Sequence, residues 1–303
     1  MKYITQKITD FTNTNLTDLY PVWNPATTYS FETNPTSASI CRYGSWYYRS
    51  LISGNINQNP FALENVSWVK HSVSNKFAML DFKAQTRSVY NGNMMVEFNQ
   101  EGNQHLGIGY YSGKNIKVEC ILDEETIWTY ESDSIRNLNI VDYWTYIYEP
   151  YTDFFSYSTF LTIPLLGDKI RITINAVDPA VTSTSCGFIV FGAGIDMGQT
   201  LSQVNFSYNS YAIKTYDDFG SMKIVKRAVQ DVLGFETIIP REEIDMLRKN
   251  IKNVYNDIVM FVLDESESSD YENLITLGTI QDASIILNDN VKSIVSFTIV
   301  EAI

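Results

Sequence analysis

The sequence predicts a mainly β fold in three parts: a small aromatic β module, an antiparallel, jelly-roll-like β-sandwich, and a C-terminal α+β unit with one main helix. Three observations predict it. Short apolar runs recur between Gly/Asn/Asp turns at the spacing of sandwich strands. The 20 Tyr and 16 Phe, with abundant Thr, Val and Ile, favour strands over helices. One stretch only, after Pro240, carries apolar residues at helical spacing.

Residues 1–19 are polar and Asn/Thr-rich, have no sustained period, and read as an arm or linker. Residues 20–72 hold the aromatic module. Its rings Trp23, Tyr29, Tyr43, Trp46, Tyr47, Tyr48 and Trp68 lie between turn-forming residues, in a segment too small to bury them all. Tyr43-Gly44-Ser45-Trp46 reads as a tight hairpin turn, with Ile40 and Arg42 before it and Tyr48 and Ser50 after it on alternating faces.

Residues 73–202 read as one antiparallel sandwich. Strands are expected at Phe77–Phe82, Met94–Phe98, Leu106–Tyr110, Ile116–Leu122, Glu125–Tyr130, Thr159–Pro164, Lys169–Ala176 and Cys186–Phe191. A further ring-dense stretch runs from Tyr143 to Phe160. The alternation Arg171-Ile172-Thr173-Ile174-Asn175 predicts one wet face.

Residues 203–303 form the α+β unit. Strand-like runs at Tyr208–Lys214 and Lys223–Ala228 flank the turn Asp217-Asp218-Phe219-Gly220. The helix follows, with Pro240 in its first turn, Glu242 and Glu243 at its positive end, and Lys249 and Lys252 toward the other. Ile244, Leu247, Ile251 and Val254 or Tyr255 form its buried stripe. Strands at Ile258–Leu263, Leu274–Gln281 and Val291–Glu301 complete a sheet for the helix to lie on.

The charge of −13, from 35 acidic against 22 basic side chains, opposes direct contact with nucleic acid. No segment is apolar enough for membrane insertion, and Met1–Lys7 lacks the apolar core of a leader, so the chain is expected to be made in a cytoplasm. Cys41, Cys120 and Cys186 are odd in number and far apart, which predicts buried free thiols and neither disulfides nor a zinc site. No cofactor is expected.

Candidate catalytic groups are sparse. His71 and His105 are the two histidines, and neither sits in a nucleophile motif. Gly192-Ala193-Gly194-Ile195-Asp196-Met197-Gly198 mimics a dinucleotide fingerprint, but its last glycine is one residue late and no helix pattern follows, so it reads as a β-turn. The acidic run Asp264–Glu272 lacks the spacing of a calcium loop and reads as a solvated hairpin tip. Glu119, Asp123, Glu124, Glu125 and Glu149 could pair for glycoside hydrolysis only if the fold brought two of them together.

The aromatic module offers a different chemistry. Rings left outside a minimal core are flat apolar platforms that suit the CH faces of sugars. The alternative is that all seven rings staple a mini-domain with little other core, and the residues alone leave both readings open.

Trp23, Tyr29, Tyr48-Arg49-Ser50, Asn59-Pro60 and Trp68 stand in the order of the chitin-binding type of small carbohydrate-binding module, which this segment resembles. The usual Gly-Asp-x-Val strand start is absent, and Phe31–Ser39 is Asn/Thr/Ser-rich instead. Further matches lie at Ser74–Asp81, Asp142-Tyr143-Trp144, Tyr146, Tyr148-Glu149-Pro150, Gly187–Gly192, Gly198-Gln199-Thr200, Tyr208–Tyr211, Thr215–Gly220 and Lys226-Arg227. Together they resemble a family of tailed-bacteriophage structural proteins that join such a module to a β-rich body.

The resemblance implies a non-enzymatic virion component of the phage tail, assembled in the host cytoplasm. Its partners would be copies of itself, other tail proteins and a bacterial surface polysaccharide. Trp23, Tyr29, Trp46, Tyr47, Tyr48, Arg49 and Trp68 would be the sugar-binding residues, with Trp46, Tyr47 and Trp68 as the stacking rings and Arg49 as a hydrogen-bonding edge. The alternative is a purely structural tail, collar or fibre-docking protein. A polysaccharide-degrading enzyme ranks behind both.

Overall fold

Strands make up just over half of the described residues of this chain, and every strand ladder among them in the computed structural model is antiparallel. The structure describes the chain except residues 33, 35, 37, 63–65, 84–85, 134–156, 178, 180–181, 217, 264–273, 287–291 and 303. The expected features at Tyr143, Trp144, Tyr146 and Tyr148-Glu149-Pro150, and the acidic run Asp264–Glu272, therefore lie outside the described residues.

The chain opens with two short strands, β1 (Lys2–Ile4) and β2 (Asn13–Thr14), and then forms the three-stranded sheet of β3 (Ile40–Tyr43), β4 (Trp46–Ser50) and β5 (Trp68–Val73). The central region supplies β6 (Ser88–Asn91), β7 (Met94–Asn99), β8 (His105–Tyr111), β9 (Asn115–Leu122), β10 (Glu125–Asp133), β11 (Tyr157–Thr162), β12 (Lys169–Asn175), β13 (Ser183–Cys186) and β14 (Phe188–Gly192). The C-terminal region supplies β15 (Gly194–Asp196), β16 (Gln199–Ser210), β17 (Ile213–Tyr216), β18 (Met222–Val225) and β19 (Val229–Pro240). The helix α1 (Ile244–Val254) and strands β20 (Val259–Val262), β21 (Ile275–Ile286) and β22 (Lys292–Glu301) follow.

The sandwich packs a five-stranded sheet, ordered β10-β9-β12-β7-β2, against the sheet β11-β8-β14. Alternation decides which side chains meet. On β12, Ile170, Ile172 and Ile174 point into the core, while Lys169, Arg171 and Thr173 face out. Each buried isoleucine contributes about 1.5–3 kcal/mol. On the wet face, Arg171 pairs with Glu97 of β7 and Glu119 of β9.

The C-terminal sheet has seven strands, ordered β15-β1-β20-β21-β22-β19-β16. One face receives α1, whose Ile244, Leu247, Ile251 and Val254 pack with Leu233, Phe235, Val295 and Phe297. The other face places Ile4, Met260, Val262 and Leu277 against Phe188 and Val190 of the sandwich. The α+β unit and the sandwich thus share a buried layer.

Four expectations need correction. Residues 1–19 are no separate arm: β1 lies between β15 and β20, β2 extends the five-stranded sheet, and Ile8, Phe11 and Leu16 enter the sandwich core. Their apolar side chains are too widely and irregularly spaced to make a period. Instead of a strand at Phe77–Phe82, Ala78–Leu80 form a 3-10 turn that buries Ala78 and Met79. Gly192–Gly198 is more than a β-turn, because it carries the chain from β14 into β15, a strand that pairs with β1. Val229–Pro240 is one long strand, so Pro240 closes a strand; Arg241–Glu243 form a 3-10 turn before α1.

Candidate functional site

The three-stranded sheet turns at Gly44-Ser45, where Gly44 takes a φ of +60° and Ser45 stays on the negative side. That is the II′ hairpin pattern, which favours glycine at the first central position. The turn sets Tyr43 opposite Trp46 and Cys41 opposite Tyr48, so all four side chains share one face. Pro21–Trp23 runs alongside β3 through hydrogen bonds from Trp23 N–H to the Arg42 carbonyl and from Arg42 N–H to the Pro21 carbonyl, both 2.8 Å. Trp23 is thereby brought beside Tyr43.

This ring face is graded from core to surface. At its sealed end Tyr29 and Trp68 meet edge to face at 5.0 Å, with Cys41 and Tyr48 completing the cluster. Trp68 is only 6% exposed, and its indole N–H donates to the Gln58 carbonyl at 2.9 Å. The Tyr29 hydroxyl accepts from Asn24 N–H at 3.0 Å, and its backbone exchanges two 2.8 Å bonds with Asn55. Burial pushes the Cys41 thiol up to about 12. Burial, and then the neighbouring Tyr43, raises Tyr48 above the ordinary phenol range.

Toward the hairpin tip the rings emerge. Trp23, Tyr43 and Trp46 are half-buried against the cluster. Trp23 meets Tyr43 edge to face at 5.9 Å, and Tyr43 lies nearly parallel to Phe61 at 6.3 Å and 13°. Phe61 is 72% exposed, on a turn in which its N–H donates to the Asn59 side-chain oxygen at 2.9 Å. The exposed Lys70 holds its ammonium 3.2 Å from the centre of the Trp46 ring, a favourable cation–π placement.

The opposite face fastens the sheet to the rest of the chain. Tyr47 is buried, its hydroxyl accepting from Leu19 N–H at 2.8 Å and donating to Asp18, while Tyr20 packs on its ring at 5.1 Å. Asp18 also pairs with Arg42 at 2.9 Å. Arg49 donates to the Glu32 carbonyl and sits over the Phe31 ring at 5.3 Å.

The seven expected sugar-binding residues therefore divide. Trp23 and Trp46 reach the surface together. Tyr29, Tyr48 and Trp68 are core, Tyr47 is core on the other face, and Arg49 is engaged by the 31–32 segment. Buried rings cannot serve as stacking platforms, which corrects the expectation for Tyr47 and Trp68 in particular. Tyr43 and Phe61 take their place in the exposed patch. Tyr43 stood in the aromatic run, and an aromatic side chain directly after the turn-forming Asn59-Pro60 was the available signal for Phe61.

Catalytic alternatives gain nothing from the geometry. Glu119 pairs with Lys117 at 2.8 Å, and Glu124 with Lys169 at 2.9 Å in full solvent, a hydrogen bond that lowers the Glu124 carboxyl. Glu149 lies outside the described residues. His105 is buried, stacked on Phe160 at 5.7 Å, and His71 is exposed on β5. Among the described residues no group of three or more His, Cys, Asp or Glu side chains could hold a metal ion, and no helix is long and apolar enough to cross a membrane.

No protein-family model matches this chain, and neither does any curated protein. Among solved structures it is similar to the tandem CBM51 modules of the family 98 glycoside hydrolase of Streptococcus pneumoniae, at 10% identity over 72% of this chain and 83% of that one. The TM-score is 0.22, a likeness too loose to carry anything across.

Proposed function

We propose that this chain is a non-catalytic glycan-binding protein whose N-terminal sheet presents Trp23, Tyr43, Trp46 and Phe61 to a polysaccharide. The carrying observation is that the sheet already has a closed core in Tyr29, Cys41, Tyr48 and Trp68, yet keeps a second group of rings together at its surface. Apolar surface left in water forgoes about 25 cal/mol per Å² of burial. Sugar rings, with CH faces to stack and hydroxyls for the Tyr43 phenol and Lys70 ammonium, recover it. The net charge of −13 disfavours a polyanion as the partner.

The resemblance to tailed-phage structural proteins supplies the setting: like subunits in a virion, with the sandwich and the C-terminal sheet as the assembly body and a bacterial surface polysaccharide as the target. One such patch binds weakly, and several held in one particle bind durably through effective concentration.

Binding to insoluble bacterial cell-wall and capsular polysaccharides, compared between the wild type and Trp23→Ala, Tyr43→Ala and Phe61→Ala, tests the reading. Each variant should lose about tenfold or more in affinity. A wild type that binds no polysaccharide, or patch variants that bind like it, sinks the proposal. Lys70, seated over one face of Trp46, favours a second reading in which the patch docks another protein and sugar binding is lost. That reading expects retention by partner subunits and none by glycans.

A further inference from the structure

The segment from Tyr208 to Val229 leaves the body as a two-stranded ribbon. β16 is the outer strand of the seven-stranded sheet, and β19 pairs with β22 only from Val232 onward. Beyond that point, among the described residues, β16 and β19 pair only with each other, down to Ser210 and Val229, and the ribbon continues as β17–β18. At about 3.3 Å per residue, Tyr208–Tyr216 can reach on the order of 30 Å. The root is fixed: the Gln230 side chain donates to the Glu301 carbonyl at 2.7 Å, and Asp231 N–H donates to the Glu301 carboxylate at 3.3 Å.

Every residue of β17 and β18 is exposed. The pairing Tyr216↔Met222 and Lys214↔Ile224 puts Tyr216, Met222 and Ile224 on one face, while Ile213↔Val225 puts two aliphatic side chains on the other. Tyr216 is 68% exposed and Phe219, at the tip, 95%. Each face thus holds fully exposed apolar side chains beside polar ones, Lys214 on the first and Thr215 and Lys223 on the second. An isolated two-stranded hairpin is at best marginally stable, so both faces suit a covered slot. Charge selects the occupant. The ribbon and its root hold Lys214, Lys223, Lys226 and Arg227 against Asp217 and Asp218, in a chain of net charge −13. The remainder of the molecule is thus more acidic than the whole, and complements the ribbon.

We propose that residues 208–229 are an intersubunit arm that docks on the acidic body of a second copy of this chain. This rests on the assembly part of the reading above and is independent of glycan binding.

Sedimentation velocity of the full chain, from about 1 to about 100 µM and at about 50 and about 500 mM NaCl, tests the arm. Wild type should associate with rising concentration. Tyr216→Ser/Met222→Ser/Ile224→Ser and Lys214→Glu/Lys223→Glu should each weaken association at least about tenfold, and salt should weaken the wild type too. A second measurement does not depend on those variants folding. Cys41, Cys120 and Cys186 are buried, so in Phe219→Cys a benzophenone maleimide labels the tip alone, and irradiation should give covalent dimers. Association undiminished in both variants overturns the arm while leaving assembly intact. A wild type monomeric throughout, with no photo-dimer, overturns the arm and the assembly part together, and leaves the polysaccharide assay to judge the patch.

Discussion

Trp68→Ala should unfold the N-terminal sheet, whereas Phe61→Ala should barely change its stability. Trp68 is 6% exposed and packs edge to face on Tyr29 at 5.0 Å. Removing a buried tryptophan costs about 3–5 kcal/mol in lost transfer and cavity terms, and the aromatic pairing beyond area burial accounts for about 0.5–1.5 kcal/mol. The freed Gln58 carbonyl, on an exposed residue, can turn to water, so no further penalty is added. Whole domains are stable by only about 5–15 kcal/mol, and this sheet closes on four buried aromatic or thiol side chains. The loss is therefore comparable to the local stability. Phe61, at 72% exposure, should shift stability within about 0.5 kcal/mol. Hydrogen exchange reads both. In Trp68→Ala the amides of Tyr29 and Asn55, which bond each other beside this sheet, and of Leu51, which bonds the Ser67 carbonyl at its end, should lose protection, while those of β9 and β12 keep theirs. Unchanged protection in Trp68→Ala, or equal loss in Phe61→Ala, would refute the division of the rings into core and surface.

Gly192→Ala should loosen the N-terminal staple, since a Cβ there would stand 2.1 Å from the Thr5 carbonyl oxygen; overpacking of this kind costs about 1–3 kcal/mol, read as a lower Tm with faster proteolysis near Met1–Phe11. Burial raises the Glu301 carboxyl, against the lowering effect of its hydrogen bonds from Tyr110 and Asp231 N–H. The folded state therefore binds this proton more tightly than the unfolded chain, and stability falls as pH rises from about 4.5 through the raised folded value. Glu301→Gln should flatten that slope in the difference between wild-type and variant unfolding curves, and parallel curves would refute it. Burial also pushes Cys41 and Cys186 up to about 12, leaving thiolate fractions of about 10⁻⁴ near pH 8. A thiol reagent should find none of the three cysteines in the native protein and all three after denaturation.

Where a local pattern repeats, the sequence was legible. The alternation on β12 named its wet and dry faces, and the apolar spacing on α1 named Ile244, Leu247 and Ile251, with the structure choosing Val254 over Tyr255 for the last place. Gly44-Ser45 fixed its own turn, because the hairpin register follows from two residues. Features held together by distant partners were illegible. β1 exists because β15 and β20, some two hundred residues away or more, leave a gap of its width, and Val229–Pro240 is one strand because β22 and β16 flank it.

The candidate site shows the same division. Sequence alone determined that the N-terminal module is dense in rings around a tight hairpin, that the chain is mainly β, and that its charge is strongly negative. Only the tertiary structure decided which rings are free. Burial depends on what the other strands and the 18–32 and 55–61 loops bring to each face, and no spacing rule distinguishes Trp68, sealed under Tyr29, from Phe61, carried outward by the turn at Asn59.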